Sequence, residues 1–336
     1  MRTELIGATA PLLAITRGPM VENVVRGLAV LVDAKGKILA SVGQVQTTCY
    51  MRSTAKPFQA VPFLLCGGAD HYRLTEEELA VMAASHGGEP YHQRLVLSIL
   101  KKGRVSPSAL QCGASRPSGS KKTTRQAPKP LYNNCSGKHA GMLLAAKFQG
   151  FPLRTYRELY HPIQQKIMKT IAELSEIHEK DMAIGVDGCG VPTFGLPLSR
   201  IAYLYARLGR PDHMPYHYQK AVGRIGQAMQ RYPLAVSGTG RFDTKLMTAR
   251  PGLISKGGAD AIYSMSLPER GWGLTVKLEG GRDHASYCRH VMIEALCQLK
   301  VLTPKQFESL KNYRPDVVRN NHQQAIGEVD TLFRWK

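Results

Sequence analysis

The sequence predicts a mixed α/β chain of the α+β kind: an antiparallel sheet flanked by helices, with a mostly helical insertion between its two halves. Three observations carry this. Residues 24–42 hold two β-rich runs separated by Asp33-Ala34-Lys35-Gly36, and turn formers between such runs read as a hairpin. Residues 317–329 repeat the pattern near the other end, turning at Asn320–Gln323. Between them the apolar residues recur at helical rather than alternating spacing. Terminal hairpins around helices argue against alternating βαβ units. They predict a single unit over residues 1–336, sheet-rich at about 1–50 and 250–336 and helix-rich over about 53–249.

From Ser53 to Leu65, the residues Ala55, Phe58, Gln59, Val61, Pro62 and Leu65 fall on one helical stripe, although Pro57 and Pro62 limit its regularity. Thr75 is placed as an N-cap, with acidic residues in the first turn and Glu78 closing a capping box. That helix is expected to run to about Ser85, where His86-Gly87-Gly88 breaks it. Residues 113–132, rich in Gly, Pro, Ser and Lys, read as a long exposed loop. Helical patterns follow at 141–148 and 162–174, and turn formers crowd 187–192. Strands are expected at 253–256 and 272–278, and a helix at 286–299.

With 336 residues, 43% hydrophobic and 21% charged, the chain is of ordinary globular composition, which excludes disorder and fibrous repeats. Its longest apolar runs, such as Leu28–Val32, fall far short of the roughly 20 residues a membrane span needs, so no membrane partner is expected. The first residues show neither an apolar core nor a cleavage site, which predicts a cytoplasmic protein. Seven scattered cysteines, at 49, 66, 112, 135, 189, 288 and 297, do not suit a disulfide scaffold. The net charge of +20 raises nucleic-acid binding. The basic residues are spread out, however, with one cluster at Ser120–Arg125 and no zinc-finger, basic-zipper or RNA-binding signature beside them. A basic surface without a nucleic-acid partner is the better reading.

Chemistry enters at Met51-Arg52-Ser53-Thr54-Ala55-Lys56-Pro57. A serine and a lysine three apart share a helix face, so the amine can reach the hydroxyl. Burial beside other cations lowers the lysine pKa and frees a neutral amine as a base. A second serine, Ser85, and a strand lysine, Lys256, followed by Gly257-Gly258, complete the order seen in serine acyl-enzymes of the penicillin-binding type. Cys135 and Cys189 each sit in a glycine-containing turn and could place two thiolates on one metal, or be two buried thiols. Lysine is not a usual zinc ligand, because it must first lose its proton. His86 and His139 read as hydrogen-bonded positioning residues.

Taken together, several strings resemble the rhizobial-type, or class 3, L-asparaginases. They are Arg17–Asn23, Met51–Ala60, Ala84–Glu89, Asn133–Met142, Asp187–Pro192 and Lys256–Asp260, in that order over about residues 14 to 330. The resemblance implies a fold similar to serine β-lactamases and glutaminases, and a homodimer. It implies two Ser–Lys pairs, Ser53 with Lys56 and Ser85 with Lys256, and a zinc site on Cys135, Lys138 and Cys189 beside Asp187. Two departures stand out: His86-Gly87-Gly88 replaces the more common His-Ser-Gly, and the 114–131 loop is unusually basic and short.

The expected reaction is hydrolysis of L-asparagine. Ser53 attacks the side-chain amide, Lys56 is its base, and Ser85 with Lys256 relays protons to the leaving amine. Asp187 is expected at the substrate's α-ammonium, Arg52 at its α-carboxylate or acyl oxygen, and His139 beside the substrate. Zinc is expected to organise the pocket rather than supply a hydroxide. Sequence alone does not decide which serine is the nucleophile, nor asparagine over glutamine, where one methylene separates the substrates. A penicillin-acylated serine enzyme, a metal-dependent amidohydrolase and a basic nucleic-acid-binding protein are the rival readings.

Overall fold

The computed structural model describes residue 5, residues 7–118 and residues 127–335. The Ser120–Arg125 cluster and the middle of the basic loop lie outside the described residues.

The chain opens with β1 (Ala10–Arg17), β2 (Met20–Asp33), β3 (Ile38–Val42) and β4 (Thr48–Tyr50). Helices α1 (Lys56–Leu65), α2 (Gly68–His71), α3 (Glu76–Met82), α4 (Pro90–Lys102), α5 (Ser136–Phe148) and α6 (Pro162–Ser175) follow. After β5 (Ala183–Val186) and β6 (Pro192–Pro197) come α7 (Leu198–Gly209), α8 (Tyr216–Arg231), α9 (Pro233–Val236) and α10 (Phe242–Ala249). The chain closes with β7 (Ile254–Gly258), β8 (Ile262–Leu267), β9 (Trp272–Leu278), α11 (Ala285–Gln298), α12 (Pro304–Leu310), β10 (Val317–Arg319) and β11 (Ala325–Thr331).

An eight-stranded sheet runs β10-β11-β1-β2-β9-β8-β7, with β3 also paired to β2, and its pairs are antiparallel. Both expected hairpins are present. At the first, Asp33 Oδ1 accepts the Lys35 and Lys37 N–H groups, each at 2.9 Å. At the second, Asn320 Oδ1 accepts from His322 and Gln324 at 2.9 and 3.0 Å. A smaller sheet, β4-β6-β5, falls partly inside the region expected to be helical. Leu28–Val32 of β2 are all buried, as in a strand covered on both faces. Helix α7 packs on β2, β8 and β9, and α11 packs on β8 and β9. A side chain at Gly273 would collide with the Ala202 carbonyl and the Ala206 amide, so only glycine lets α7 lie this close to β9.

In the helical part α1 is the centre, in contact with α5, α6 and α8. Its residues from Lys56 to Leu64 are buried, and a helix apolar on nearly every side belongs inside a core. Burying Phe58, Val61 or Phe63 contributes about 1.5–3 kcal/mol each. The expected capping box starts α3: Thr75 N donates to Glu78 at 2.8 Å and Glu78 N to Thr75 Oγ1 at 3.3 Å. The helix ends at Met82, three residues before the expected stop. Among the described residues no helix is long and apolar enough to cross a membrane.

Candidate active site

Ser53 sits in a 3-10 turn, Arg52–Ala55, between β4 and α1. The turn is held from three directions. Met51 N donates to Phe194 O at 2.8 Å, and Thr54 Oγ1 to Met51 O at 2.7 Å. From α7, the fully buried Tyr205 hydroxyl donates to Thr54 O at 2.8 Å. The conformation is strained, since Arg52 has a left-handed φ of 50°, uncommon for a residue with a Cβ. Arg52 Nε donates to Asp187 Oδ1 at 3.0 Å, and its guanidinium also pairs with Asp260 in the turn after β7. Asp260 and Ala261 are left-handed too, with φ 57° and 54°.

The two lysines meet on one serine. Lys56 Nζ donates to Ala84 O at 2.7 Å, Ser85 Oγ at 2.9 Å and Asn134 O at 3.3 Å. Lys256 Nζ lies 2.7 Å from Ser85 Oγ and 2.6 Å from Gly257 O. The expected one-turn pair is therefore absent: no hydrogen bond joins Lys56 to Ser53. The amine leads α1, and the buried pocket it enters is capped by the segment after α3, where Ser85 N is tied to Val236 O at 3.0 Å. Both amines are fully buried. Burial lowers the pKa of Lys56, with Lys138 adding to the shift and the Cys135 sulfur opposing it. Burial also brings Lys256 to about 7, opposed by Asp243 and reinforced by Lys56 and Arg241.

The two histidines are buried and held well below their usual pKa, first by burial. His86 Nδ1 accepts the Gly88 N–H at 3.1 Å, which leaves its Nε2–H for Ser136 Oγ, also at 3.1 Å. His139 Nδ1 lies 2.6 Å from the Tyr156 hydroxyl, and its Nε2 has no partner.

The candidate metal ligands converge in one buried place. Lys138 Nζ is 3.2 Å from Cys189 Sγ, and the neighbouring Cys135 thiol donates to Asn134 Oδ1 at 2.9 Å. The interaction between the two sulfurs is the main reason Cys135 is shifted well down and Cys189 up. Burial works against the Lys138 ammonium, yet the two sulfurs and Asp187 raise its pKa overall. Burial likewise opposes the Asp187 charge, but Lys138 and Arg52 hold its carboxyl below the usual range. Gly137 permits the geometry, since a Cβ there would strike the Val81 carbonyl of α3. Two sulfurs and one amine nitrogen form a donor set that fits zinc. Among the described residues no group of three His, Cys, Asp or Glu side chains stands that could hold a metal, so the third ligand would be Lys138.

A cavity of about 480 Å³ opens beside the two serines, with Ser53, Ser85, Asn134, Arg241, Asp243 and Arg289 on its walls. Arg52, Asp187 and His139, expected around the substrate, do not line it; the first two pair with each other. Sequence reasoning passed over Asp243, which is buried and accepts Ser255 Oγ at 2.7 Å, the Tyr263 hydroxyl and the Gly257 N–H at 3.2 Å. These bonds clamp the strand on both sides of Lys256. The one local cue was an acid in the first turn of α10.

The sequence profile of a family described as L-asparaginase II matches residues 13–331. No curated protein matches the chain. Among solved structures, a beta-lactamase from Mycobacterium bovis is similar at 12% identity and a TM-score of 0.38, over 82% of this chain and 95% of that one.

Proposed function

The chain belongs to the L-asparaginase II family, and from that premise we propose that it hydrolyses L-asparagine to L-aspartate and ammonia through a serine acyl intermediate. Membership makes it an amidohydrolase of the L-asparaginase type acting on a small molecule; the route below is our reading. One observation carries it: the Ser85 hydroxyl lies between the Lys56 and Lys256 amines, at 2.9 and 2.7 Å, on the wall it shares with Ser53.

A hydroxyl between two buried amines is a proton relay. Ser53 has a half-buried side chain on the cavity wall and is the nucleophile. Its oxygen attacks the amide carbon, and neutral Lys56, one helical turn on, turns from Ser85 to take its proton. Backbone N–H groups at the start of the turn stabilise the oxyanion. Collapse breaks the C–N bond as the Lys56–Ser85–Lys256 chain delivers the proton taken from Ser53 to the amide nitrogen, which leaves as ammonia. Water, deprotonated by the same chain, hydrolyses the β-aspartyl ester and frees Ser53. Cys135, Lys138 and Cys189 would hold zinc, which would supply positive charge beside Asp187 and behind Asn134, the neighbour of Cys135 on the cavity wall. The same reading includes a single catalytic unit, a cytoplasmic location and a homodimer, the last supported by the exposed apolar strip Met20, Val21 and Val24 on β2.

An electrophilic asparagine analogue is expected to add its mass to Ser53, and Ser53→Ala is expected to release no ammonia. Full ammonia release by Ser53→Ala sinks the scheme. Glutamine differs by one methylene, so ammonia release from it is measured in parallel.

A further inference from the structure

Part of the cavity wall has no place in the scheme above. Arg241 and Arg289 line it, and among the described residues neither is ion-paired. Arg241 is held in place, with Nε donating to Ser237 Oγ at 3.1 Å and one terminal nitrogen to Ser118 Oγ at 3.2 Å. Its other terminal nitrogen makes no hydrogen bond among the described residues. Arg289, on the first turns of α11, makes no hydrogen bond or ion pair among them either. The first turn of α10 also faces the cavity, through Phe242 and Asp243, and no side chain caps that helix. The carboxylate on this wall, Asp243, is already committed to Ser255, Tyr263 and Gly257. The wall therefore carries two guanidinium charges against the single Asp243 carboxylate, and guanidinium groups are built to grip a carboxylate.

Arg52 is in the opposite condition. Two carboxylates, Asp187 and Asp260, already occupy it, and it lies off the cavity wall. Taking on a third carboxylate would require breaking one of those pairs.

We propose that Arg241 and Arg289 bind the α-carboxylate of the substrate, and that Arg52 does not. Asparagine then spans the cavity with its side-chain amide at the serines and its carboxylate at the arginines. The inference rests on the L-asparaginase reading and adds its specificity site. An amide lacking the α-carboxylate forfeits this contact and is selected against.

The test compares L-asparagine with 3-aminopropanamide, which keeps the amide and the amine but lacks the carboxylate. Charged hydrogen bonds of this kind are worth roughly 10- to 100-fold in binding. Arg289→Ala and Arg241→Ala are expected to raise KM for asparagine by that factor, with a smaller change in kcat. The ratio of kcat/KM between the two amides should fall correspondingly, and Arg289→Lys should restore part of it. Arg289 has no hydrogen-bond or ion-pair partner among the described residues, so its truncation is expected to leave the fold intact. Calorimetric titration with L-aspartate reads the same site without turnover, and its affinity should drop in both variants. An unchanged amide ratio and unchanged aspartate affinity in both variants overturn the inference. A wild-type protein that releases no ammonia from asparagine overturns the activity reading instead, and the aspartate titration then decides the anion site alone.

Discussion

The amine of Lys56 lies 2.9 Å from the hydroxyl of Ser85, a residue 29 positions away, rather than on the serine one turn before it. The consequence is a division of labour between the serines. Ser85→Ala is expected to lower kcat by about 10²–10⁴-fold, as for loss of a general acid–base group, while Ser53 still takes up the electrophilic analogue. Intact-mass measurement of each variant after exposure to the analogue checks this, and acylation of Ser85 in place of Ser53 would reverse the roles.

Lys256 makes the reaction sensitive to pH. Its proton is held with a pKa of about 7 in the folded chain, against 10.5 for an ordinary lysine. Neutral Lys256 can accept a proton, so kcat/KM is expected to rise through about pH 7. Asp243 raises this pKa, so Asp243→Asn should move the rising limb to lower pH. Stability follows the same sign. Between the two values the unfolded chain holds one more proton, so stability increases with pH across that window. Below it both states are protonated, and the cost of burying the ammonium is borne in full. Paired pH–rate and urea-melt series measure both effects. A limb that stays in place in Asp243→Asn counts against the role of Lys256.

The sulfur pair predicts metal content. Elemental analysis of the purified protein is expected to find zinc, and Cys189→Ala or Cys135→Ala should remove it. Asp187→Asn, beside the ligands, should weaken zinc affinity by about 10–100-fold. Wild-type protein free of zinc after growth in zinc-supplemented medium would rule the centre out.

Tyr205 supports the strained serine turn from below. Tyr205→Phe keeps the ring contact with Phe58, whose centroid is 5.7 Å away, and removes only the bond to the Thr54 carbonyl. Leaving that buried acceptor unpaired should cost about 1–3 kcal/mol. A looser turn should also lower kcat more than it raises KM. Urea denaturation and steady-state rates measure the two effects, and an unaltered kcat would show that the turn holds itself.

Much of this frame was legible because its signals are local. Thr75 and Glu78 three apart dictate a capping box, and Asp33 with Gly36 dictates a tight turn. Ser53, Lys56, Ser85 and Lys256 could be singled out because each belongs to a short string with a known order. Their pairing was not legible, because it depends on where α1 lies against the segment after α3, a tertiary fact. Arg241, Asp243 and Arg289 were missed for the same reason. Arg241 and Asp243 open α10 and Arg289 stands on α11; they show no motif, and only packing brings the two helices to one wall. Arg52 shows the converse, since its two acidic partners are 135 and 208 residues away in sequence and nothing local announces them.

The large sheet joins the two ends of the chain, and this governs how the protein must be made. β2 finds its neighbour β9 through pairs such as Gly27 with Leu278, about 250 residues later. At about 5–20 residues per second, a ribosome needs roughly 10–50 s to supply that partner. During this wait β1, β2 and β3 present a bare apolar strand edge, the kind of surface that recruits other chains. Ribosome-held chains ending before Trp272 are therefore expected to be cut readily by protease and to aggregate on release, while chains extended past Leu278 resist. Newly made protein should depend on chaperones that shield such edges until synthesis is nearly complete.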